Sequence, residues 1–274
     1  MGNQWHDAGS IISLGKYPID SLESSAAKAL LAKCRHDLER NGVCELKDFV
    51  TPHGLSLLVQ ESVQLEDNAF FNGVVGNAYL DEPASDLPPD HVRRMTEPTH
   101  LGVVAYDQFP KTSVLRQIYE WEPLMLFIGA VLQLDKIYRY GDPMGALNLS
   151  VMRDVDYLRW HFDQTDFVSS LMIRNSEQGG HFEYVPALRS SENENYEKVR
   201  AVLEGSKQSV VHLENAAGSL VLFRGRYSLH RVTPIEGKTS RLIGLFGFDT
   251  KPGVTSSDHL RKIRYGRTQV LHTP

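Results

Sequence analysis

The chain has 274 residues, of which 41% are hydrophobic and 23% charged, and its 29 basic and 34 acidic side chains give a net charge of −5. This balance excludes a broad basic surface for nucleic acid or anionic lipid. The longest apolar run, Leu124 to Leu132, is too short to cross a bilayer, and two cysteines cannot build a disulfide framework. We expect a single cytoplasmic domain, residues 1–274, that binds neither nucleic acid nor membrane.

The first 134 residues predict helices more than strands. Residues 1–22 are polar and irregular, which predicts an N-terminal arm, and 23–134 should form mainly helical support. A helix should begin after Ser24 and end at Gly42, because the apolar residues between them recur at helical spacing. The other regular elements are a strand over 43–50, a helix from Pro52 to near Asp67, and a buried helical stretch over 113–133 that restarts at Pro123.

Residues 71–110 contain several prolines and glycines and predict a loop rather than regular structure. A loop of this length inside a compact domain is more often functional than a simple connection. We therefore expect this segment, together with the helix start near Trp121, to form a lid that excludes water from an active site.

From residue 145 onward the apolar residues recur with a period of two, which predicts short strands. A helix over 192–204 interrupts them and another over 256–265 follows. This order predicts a mixed α+β fold with a jelly-roll (double-stranded β-helix) core over 135–274 and helices packed outside it. The predicted strands are 145–153, 157–162, 166–174, 180–185, 209–213, 218–224, 226–233 and 240–249.

A candidate metal site lies at the end of one of these strands, in Trp160-His161-Phe162-Asp163. Residues i and i+2 of a strand point the same way, so His161 and Asp163 can bind one ion. His230, on another predicted strand, would supply a third ligand. Two histidines and one carboxylate are typical of non-haem iron sites with open coordination positions.

Arg241 stands eleven residues after His230, across a predicted turn. If the hairpin is centred between Glu236 and Gly237, Arg241 pairs with Val232 and lies on the same face as His230. Its guanidinium would then meet the far carboxylate of a five-carbon oxoacid chelated by the metal. A register slip of one residue would turn Arg241 to the other face.

Asn148, in the strand that precedes the metal motif, is a further candidate for binding the oxoacid or the substrate. Its side chain is predicted to share a face with that of Ser150. The alternative is a polar strand residue that bonds only to backbone.

The chain from Trp121 onward resembles the iron(II)/2-oxoglutarate-dependent dioxygenases, in particular the branch of small-molecule and free amino-acid hydroxylases related to amino-acid halogenases. This resemblance implies that His161, Asp163 and His230 are catalytic iron ligands and that Arg241 binds the distal carboxylate of 2-oxoglutarate. It also implies Fe(II), 2-oxoglutarate and O₂ as cofactor and cosubstrates. The matching stretches are 119–124, 160–167, 179–186 and 222–234, followed by Arg241.

Halogenating members of that family replace the carboxylate ligand by a small residue, so that halide can bind iron. Asp163 is retained here, which favours hydroxylation. The resemblance thus predicts hydroxylation of an unactivated C–H of a small polar substrate, a free amino acid or derivative, with release of succinate and CO₂. A homodimer is possible.

Three alternatives remain open at this stage. A cupin-type isomerase or dioxygenase would need no 2-oxoglutarate, although cupins usually begin with His-x-His rather than the His-x-Asp found at 161–163. Desaturation or ring closure could replace hydroxylation. A non-catalytic jelly roll would bind no stoichiometric iron.

Overall fold

The computed structural model describes residues 7–81 and 86–271. Within these ranges the helices are α1 (Ala8–Ile11), α2 (Ser25–Asn41), α3 (Pro52–Leu65), α4 (Val114–Glu120), α5 (Glu122–Leu132), α6 (Tyr196–Leu203) and α7 (Asp258–Tyr265). The strands are β1 (Val43–Leu46), β2 (Phe70–Asn77), β3 (Thr96–Val104), β4 (Tyr138–Arg139), β5 (Leu147–Met152), β6 (Leu158–His161), β7 (Val168–Arg174), β8 (Gln178–Gly179), β9 (Phe182–Val185), β10 (Val211–Leu213), β11 (Leu220–Phe223), β12 (Leu229–Val232), β13 (Ile235–Glu236), β14 (Arg241–Phe246) and β15 (Phe248–Asp249).

Two antiparallel sheets form the core of the fold. The larger has seven strands in the order β1-β11-β7-β14-β5-β3-β2, and the smaller has four in the order β10-β9-β12-β6. The core strands β5, β6, β7, β9, β11, β12 and β14 lie in the large and the small sheet by turns, as a jelly roll requires, whereas β2 with β3 and β9 with β10 each form a pair within one sheet. The predicted α+β fold with a jelly-roll core is confirmed, and each of the eight strands predicted after residue 145 is present within about its predicted range.

Local sequence signals explain where the first long helices begin and end. The Ser24 hydroxyl accepts a hydrogen bond from the backbone N–H of Ala27 at the start of α2, and Gly42 ends that helix with a φ of 71°. Thr51 caps α3 in the same way, with Pro52 in the first turn. Both predicted helices are confirmed.

The main hydrophobic core lies between the helices and the outer face of the seven-stranded sheet. Alternate residues of β5, Leu147, Leu149 and Val151, are fully buried in this core. The intervening residues, Asn148 and Ser150, point the other way, into the space between the two sheets. The inner space is therefore more polar than the outer core, which suits a binding site. None of the helices in the described ranges has both the length and the apolar character needed to span a bilayer.

The prediction of a loop over 71–110 is wrong. β2 and β3 form a long antiparallel ladder at one edge of the large sheet, with Phe70 opposite Val103 and Asn77 opposite Thr96. Only residues 102–104 of β3 also pair with β5, so Pro98 lies where the missing N–H costs little. An edge segment that contains glycine and proline can therefore form strands although its sequence predicts a loop.

The expected N-terminal arm also differs from the structure. Residues 7–22 include α1 and pack against the core, where Ile11, Ile12 and Ile19 are buried. Their apolar side chains are too few and too irregularly spaced to give a periodic signal. Residues 1–6 lie outside the described ranges.

The predicted pairing of Arg241 with Val232 is wrong. β12 pairs with β6 and β9 in the small sheet, whereas β14 pairs with β5 and β7 in the large one, where Arg241 lies opposite Met152. The chain crosses from one sheet to the other between these strands. They face each other across the jelly roll instead of forming a hairpin.

Candidate metal centre

Two neighbouring strands of the small sheet bring the predicted histidines together. β6 and β12 pair with His161 directly opposite His230, and the two imidazole centroids are 4.1 Å apart. Asp163 follows the end of β6 by two residues, where its backbone N–H donates to the carbonyl of Gly225. Two segments almost 70 residues apart in sequence therefore meet at one point.

The three side chains are spaced to share one ion. Nε2 of His161 is 3.7 Å from Oδ1 of Asp163, and Nε2 of His230 is 3.5 Å from Oδ2. One ligand atom from each residue lies within 4.8 Å of the others, and these three residues are the one such group found in the described ranges. Two imidazole nitrogens and a carboxylate oxygen suit Fe(II), Mn(II) or Zn(II).

The ring orientation of each histidine is fixed from behind. Nδ1 of His161 lies 2.9 Å from the carbonyl of Arg159, and Nδ1 of His230 lies 3.0 Å from the carbonyl of Ser228. A backbone carbonyl only accepts, so each Nδ1 carries the proton and each Nε2 presents its lone pair to the ion.

Burial sets the protonation states that a metal ion needs. It lowers the pKa of His161 to about 3, with a further lowering by nearby His230. For Asp163, burial alone would raise the pKa of the carboxyl, but His230 and His161 more than reverse this and hold it below its usual range. The site thus keeps the imidazole of His161 neutral and the carboxylate of Asp163 ionised at neutral pH. Oδ2 of Asp163 is buried with no hydrogen-bond partner in the described ranges, which fits an atom that binds a cation.

Gly225 makes room for the Asp163 carboxylate. A Cβ at this position would stand 1.6 Å from Oδ2, which no side chain tolerates. Sequence reasoning missed this residue, although it lies in the Phe223-Arg224-Gly225 segment just before β12. The glycine is a signal only once its contact with Asp163 is known.

Arg241 is a buried cation on the inner face of the large sheet, opposite Met152, with no acidic partner among the described residues. It is 2% exposed, its Nε has no hydrogen-bond partner there, and its nearest polar contact is Nη1 to the Met152 sulfur at 3.9 Å. Gly180 leaves room for the Arg241 side chain, because a Cβ at position 180 would lie only 3.1 Å from Cδ of Arg241. Burial lowers the pKa of Arg241 to about 10, so the charge persists at neutral pH and requires an anion.

The structure gives Asn148 a set of partners within the protein. Its Nδ2 donates to the carbonyls of Met144 and Leu147, and its Oδ1 accepts from the hydroxyl of Tyr265 at 3.0 Å. Asn148 thereby connects α7 to the inner face of the large sheet. Both amide hydrogens are used, so any contact with a cofactor would have to be made through Oδ1.

The sequence of this chain matches the model of a known protein family. The sequence model of the family described as Halogenase D matches residues 26–260. No curated protein matches the chain.

Solved structures share the fold at low sequence identity. AviO1 from Streptomyces viridochromogenes Tue57 is 16% identical, with a TM-score of 0.55 over 82% of this chain and 97% of its own. The non-haem alpha-ketoglutarate-dependent carbocyclase SnoK from nogalamycin biosynthesis is 12% identical, with a TM-score of 0.56 over 88% of this chain and 93% of its own. HygX from Streptomyces hygroscopicus, solved with nickel and 2-oxoglutarate bound, is 11% identical, with a TM-score of 0.52 over 79% and 85%.

Proposed function

This chain belongs to the Halogenase D family, and on that premise we propose that it is an iron(II)/2-oxoglutarate-dependent oxygenase that hydroxylates a small polar substrate. The substrate class we infer is a free amino acid or a derivative, with hydroxylation at an unactivated C–H. The observation that carries the proposal is the convergence of His161, Asp163 and His230 within 4.8 Å at one end of the jelly roll.

The chain's own residues fit the two groups that this chemistry needs. His161, Asp163 and His230 would hold Fe(II) on one side and leave the other open. Arg241 would hold the distal carboxylate of 2-oxoglutarate, because a buried, unpaired guanidinium offers two parallel donors to a carboxylate. When bound, these two groups would supply the activation of O₂ needed to oxidise a C–H bond, with 2-oxoglutarate converted to succinate and CO₂.

The protein contributes orientation and exclusion of water. The backbone carbonyls that accept from the two Nδ1 atoms keep both Nε2 atoms aimed at one point, so neither imidazole has to reorient when the ion binds. Phe223 and Phe182 pack around His230, with ring centroids at 4.8 and 5.6 Å, and form an apolar wall beside the centre. Such walls limit water near the reacting atoms.

Retention of Asp163 separates hydroxylation from the halogenation that gives the family its description. Its carboxylate occupies the position that halide would need, and Gly225 is shaped to admit that carboxylate. We therefore expect no chlorinated product from the wild-type protein in chloride buffer. Detection of a chlorinated product by mass spectrometry would contradict hydroxylation and indicate halogenation instead.

Succinate formation tests the proposal directly. The iron-loaded protein should convert 2-oxoglutarate to succinate, faster with one member of an amino-acid panel, whose product gains one oxygen. His161→Ala and His230→Ala should abolish both, because each removes an ion ligand. His36→Ala, on the exposed face of α2, is the matched control and should retain full activity. Turnover that persists in either ligand variant would refute the proposal.

A further inference from the structure

A cavity lies outside the metal centre, beside β6. It has a volume of about 320 Å³ and is bounded by β6, by α6 and by the neighbouring ends of β2 and β3. Its wall contains neither the three predicted iron ligands nor Arg241. This volume is at the lower end of the range for small-molecule sites. The lining residues used below are Gly76, Met95, Glu97, Arg159, Trp160 and Leu203.

Arg159 contributes a buried positive charge to this cavity. The residue is 7% exposed, and its guanidinium makes two long hydrogen bonds of 3.4 Å, from Nη1 to the carbonyl of Val74 and from Nε to that of Asn77. No described residue accepts a hydrogen bond from Nη2 or forms an ion pair with Arg159. A buried cation of this kind is costly unless an anion pairs with it.

Gly76 provides the space in which Nη2 sits. A Cβ on Gly76 would come within 2.6 Å of Nη2 and 3.2 Å of Cζ of Arg159. Gly76 does not have the positive φ that would require glycine for backbone reasons. The space beside the guanidinium is therefore what glycine supplies at this position.

Glu97 places a negative charge on the wall of the same cavity. Its carboxylate attracts the Arg159 charge, yet no ion pair joins them within 4.0 Å, and no hydrogen bond to a described residue occupies it. Met95, Trp160 and Leu203 line the wall with apolar surface. Two opposite charges held apart beside an apolar wall are complementary to a ligand that carries both charges and an apolar group.

We propose that this cavity binds a free α-amino acid. Its carboxylate pairs with the Arg159 guanidinium, its ammonium group faces Glu97, and its side chain packs against Trp160, Met95 and Leu203. The site is separate from the metal centre and does not depend on the reaction proposed there. The cavity and the metal centre are nevertheless neighbours, because the backbone carbonyl of Arg159 accepts the hydrogen bond that orients His161.

Calorimetric titration of the full-length, metal-free protein with each of the twenty amino acids tests the proposal. At least one should bind, whereas acetate and methylamine, which carry one charge each, should bind far more weakly. Arg159→Gln should weaken binding about 10- to 100-fold, because a charge-assisted hydrogen bond is lost. Glu97→Gln should weaken it as well.

Matched variants separate this site from the metal centre. Arg40→Gln, an exposed arginine on α2, should leave the affinity unchanged. If Arg159→Gln does not fold, Gly76→Ala is the alternative variant. Its methyl group should displace the Arg159 guanidinium without removing the charge, and should therefore also weaken binding. Absence of binding by every amino acid, binding that survives Arg159→Gln, or an equal loss of binding in Arg40→Gln would overturn the proposal.

Discussion

At the scale of single residues, the metal centre depends on the close contact between Asp163 and Gly225. Asp163 supplies the only carboxylate in the group of three ligands, and Gly225 supplies the space into which that carboxylate folds. The backbone hydrogen bond from Asp163 to Gly225 holds the two segments in register. A change at Gly225 should therefore act on the metal through Asp163.

Replacing Gly225 by alanine should weaken Fe(II) binding about 10- to 100-fold, since the new methyl group displaces a ligand. Metal content after dialysis against graded Fe(II) measures the effect. In an Asp163→Ala background the same change should have almost no further effect, because the two substitutions act on one interaction. Additive losses would show that Gly225 acts by another route.

Arg241 supports a second prediction at this scale. Arg241→Met should raise the KM for 2-oxoglutarate about 10- to 100-fold, because the distal carboxylate loses a charged partner. The free energy of unfolding of the ligand-free protein should stay equal or increase, since a buried unpaired charge is removed. Steady-state kinetics and urea titration measure the two effects. A large loss of stability with an unchanged KM would assign Arg241 a structural role instead.

At the scale of elements, the position of α7 depends on a buried carboxylate before β5. Asp142 is fully buried and accepts hydrogen bonds from the N–H groups of Met144, Gly145 and Ser256, and from Nε of Arg261 on α7. Together with the contact between Tyr265 and Asn148, this carboxylate fixes α7 against the inner face of the large sheet.

Asp142→Asn should cost about 3 kcal/mol of stability at pH 7, because the partly buried Arg261 loses its counter-charge. Burial alone would raise the pKa of Asp142, but its four hydrogen bonds outweigh this and lower it below 3.8. The unfolded state then binds the proton first, so the stabilisation is complete above that pH and is lost as the pH falls below it. Urea titrations at several pH values measure the difference between wild type and variant.

Asp258→Asn is the control for that measurement. Asp258 also lies near Arg261, at 3.6 Å, but its side chain is 79% exposed, so its replacement should have little effect on stability. Equal losses in the two variants would contradict the role given to Asp142.

At the scale of the whole molecule, one core joins the two halves of the chain. β1 from the front half pairs with β11, and β3 pairs with β5, so the large sheet is built from both halves. The main hydrophobic cluster extends from Ile11 to Phe248. Neither half encloses a complete core without the other, which supports the proposal that residues 1–274 form a single domain.

Unfolding of the two halves should therefore coincide. Trp121 lies in the helical layer and Trp160 in the small sheet, so each can report on one half. Two variants are compared, and both carry Trp5→Phe. Adding Trp160→Phe leaves Trp121 as the single tryptophan, and adding Trp121→Phe leaves Trp160. After correction for the stability of each variant by circular dichroism, the two fluorescence transitions in urea should have the same midpoint as the circular dichroism signal. Separate midpoints would indicate two units.

The sequence by itself determined the features that depend on neighbouring residues. Helix caps at Ser24 and Thr51, the alternating strands after residue 145 and the pairing of His161 with Asp163 two residues later are local patterns, and local geometry decides them. The convergence of His230 on the same point could be proposed from the family resemblance, because the matching stretches follow one another along the chain in the order expected for the family.

Tertiary structure decided the features that depend on which distant segments meet. Glycine and proline made β2 and β3 indistinguishable from a loop until the β-ladder between them was known. Arg241 faces the inner space from the opposite sheet, a placement that hairpin reasoning assigned to the wrong partner strand. The space beside Asp163 and the cavity beside Arg159 exist because Gly225 and Gly76 lie against side chains from distant segments of the chain. Such contacts leave no periodic signal, because they are made between residues far apart in the chain.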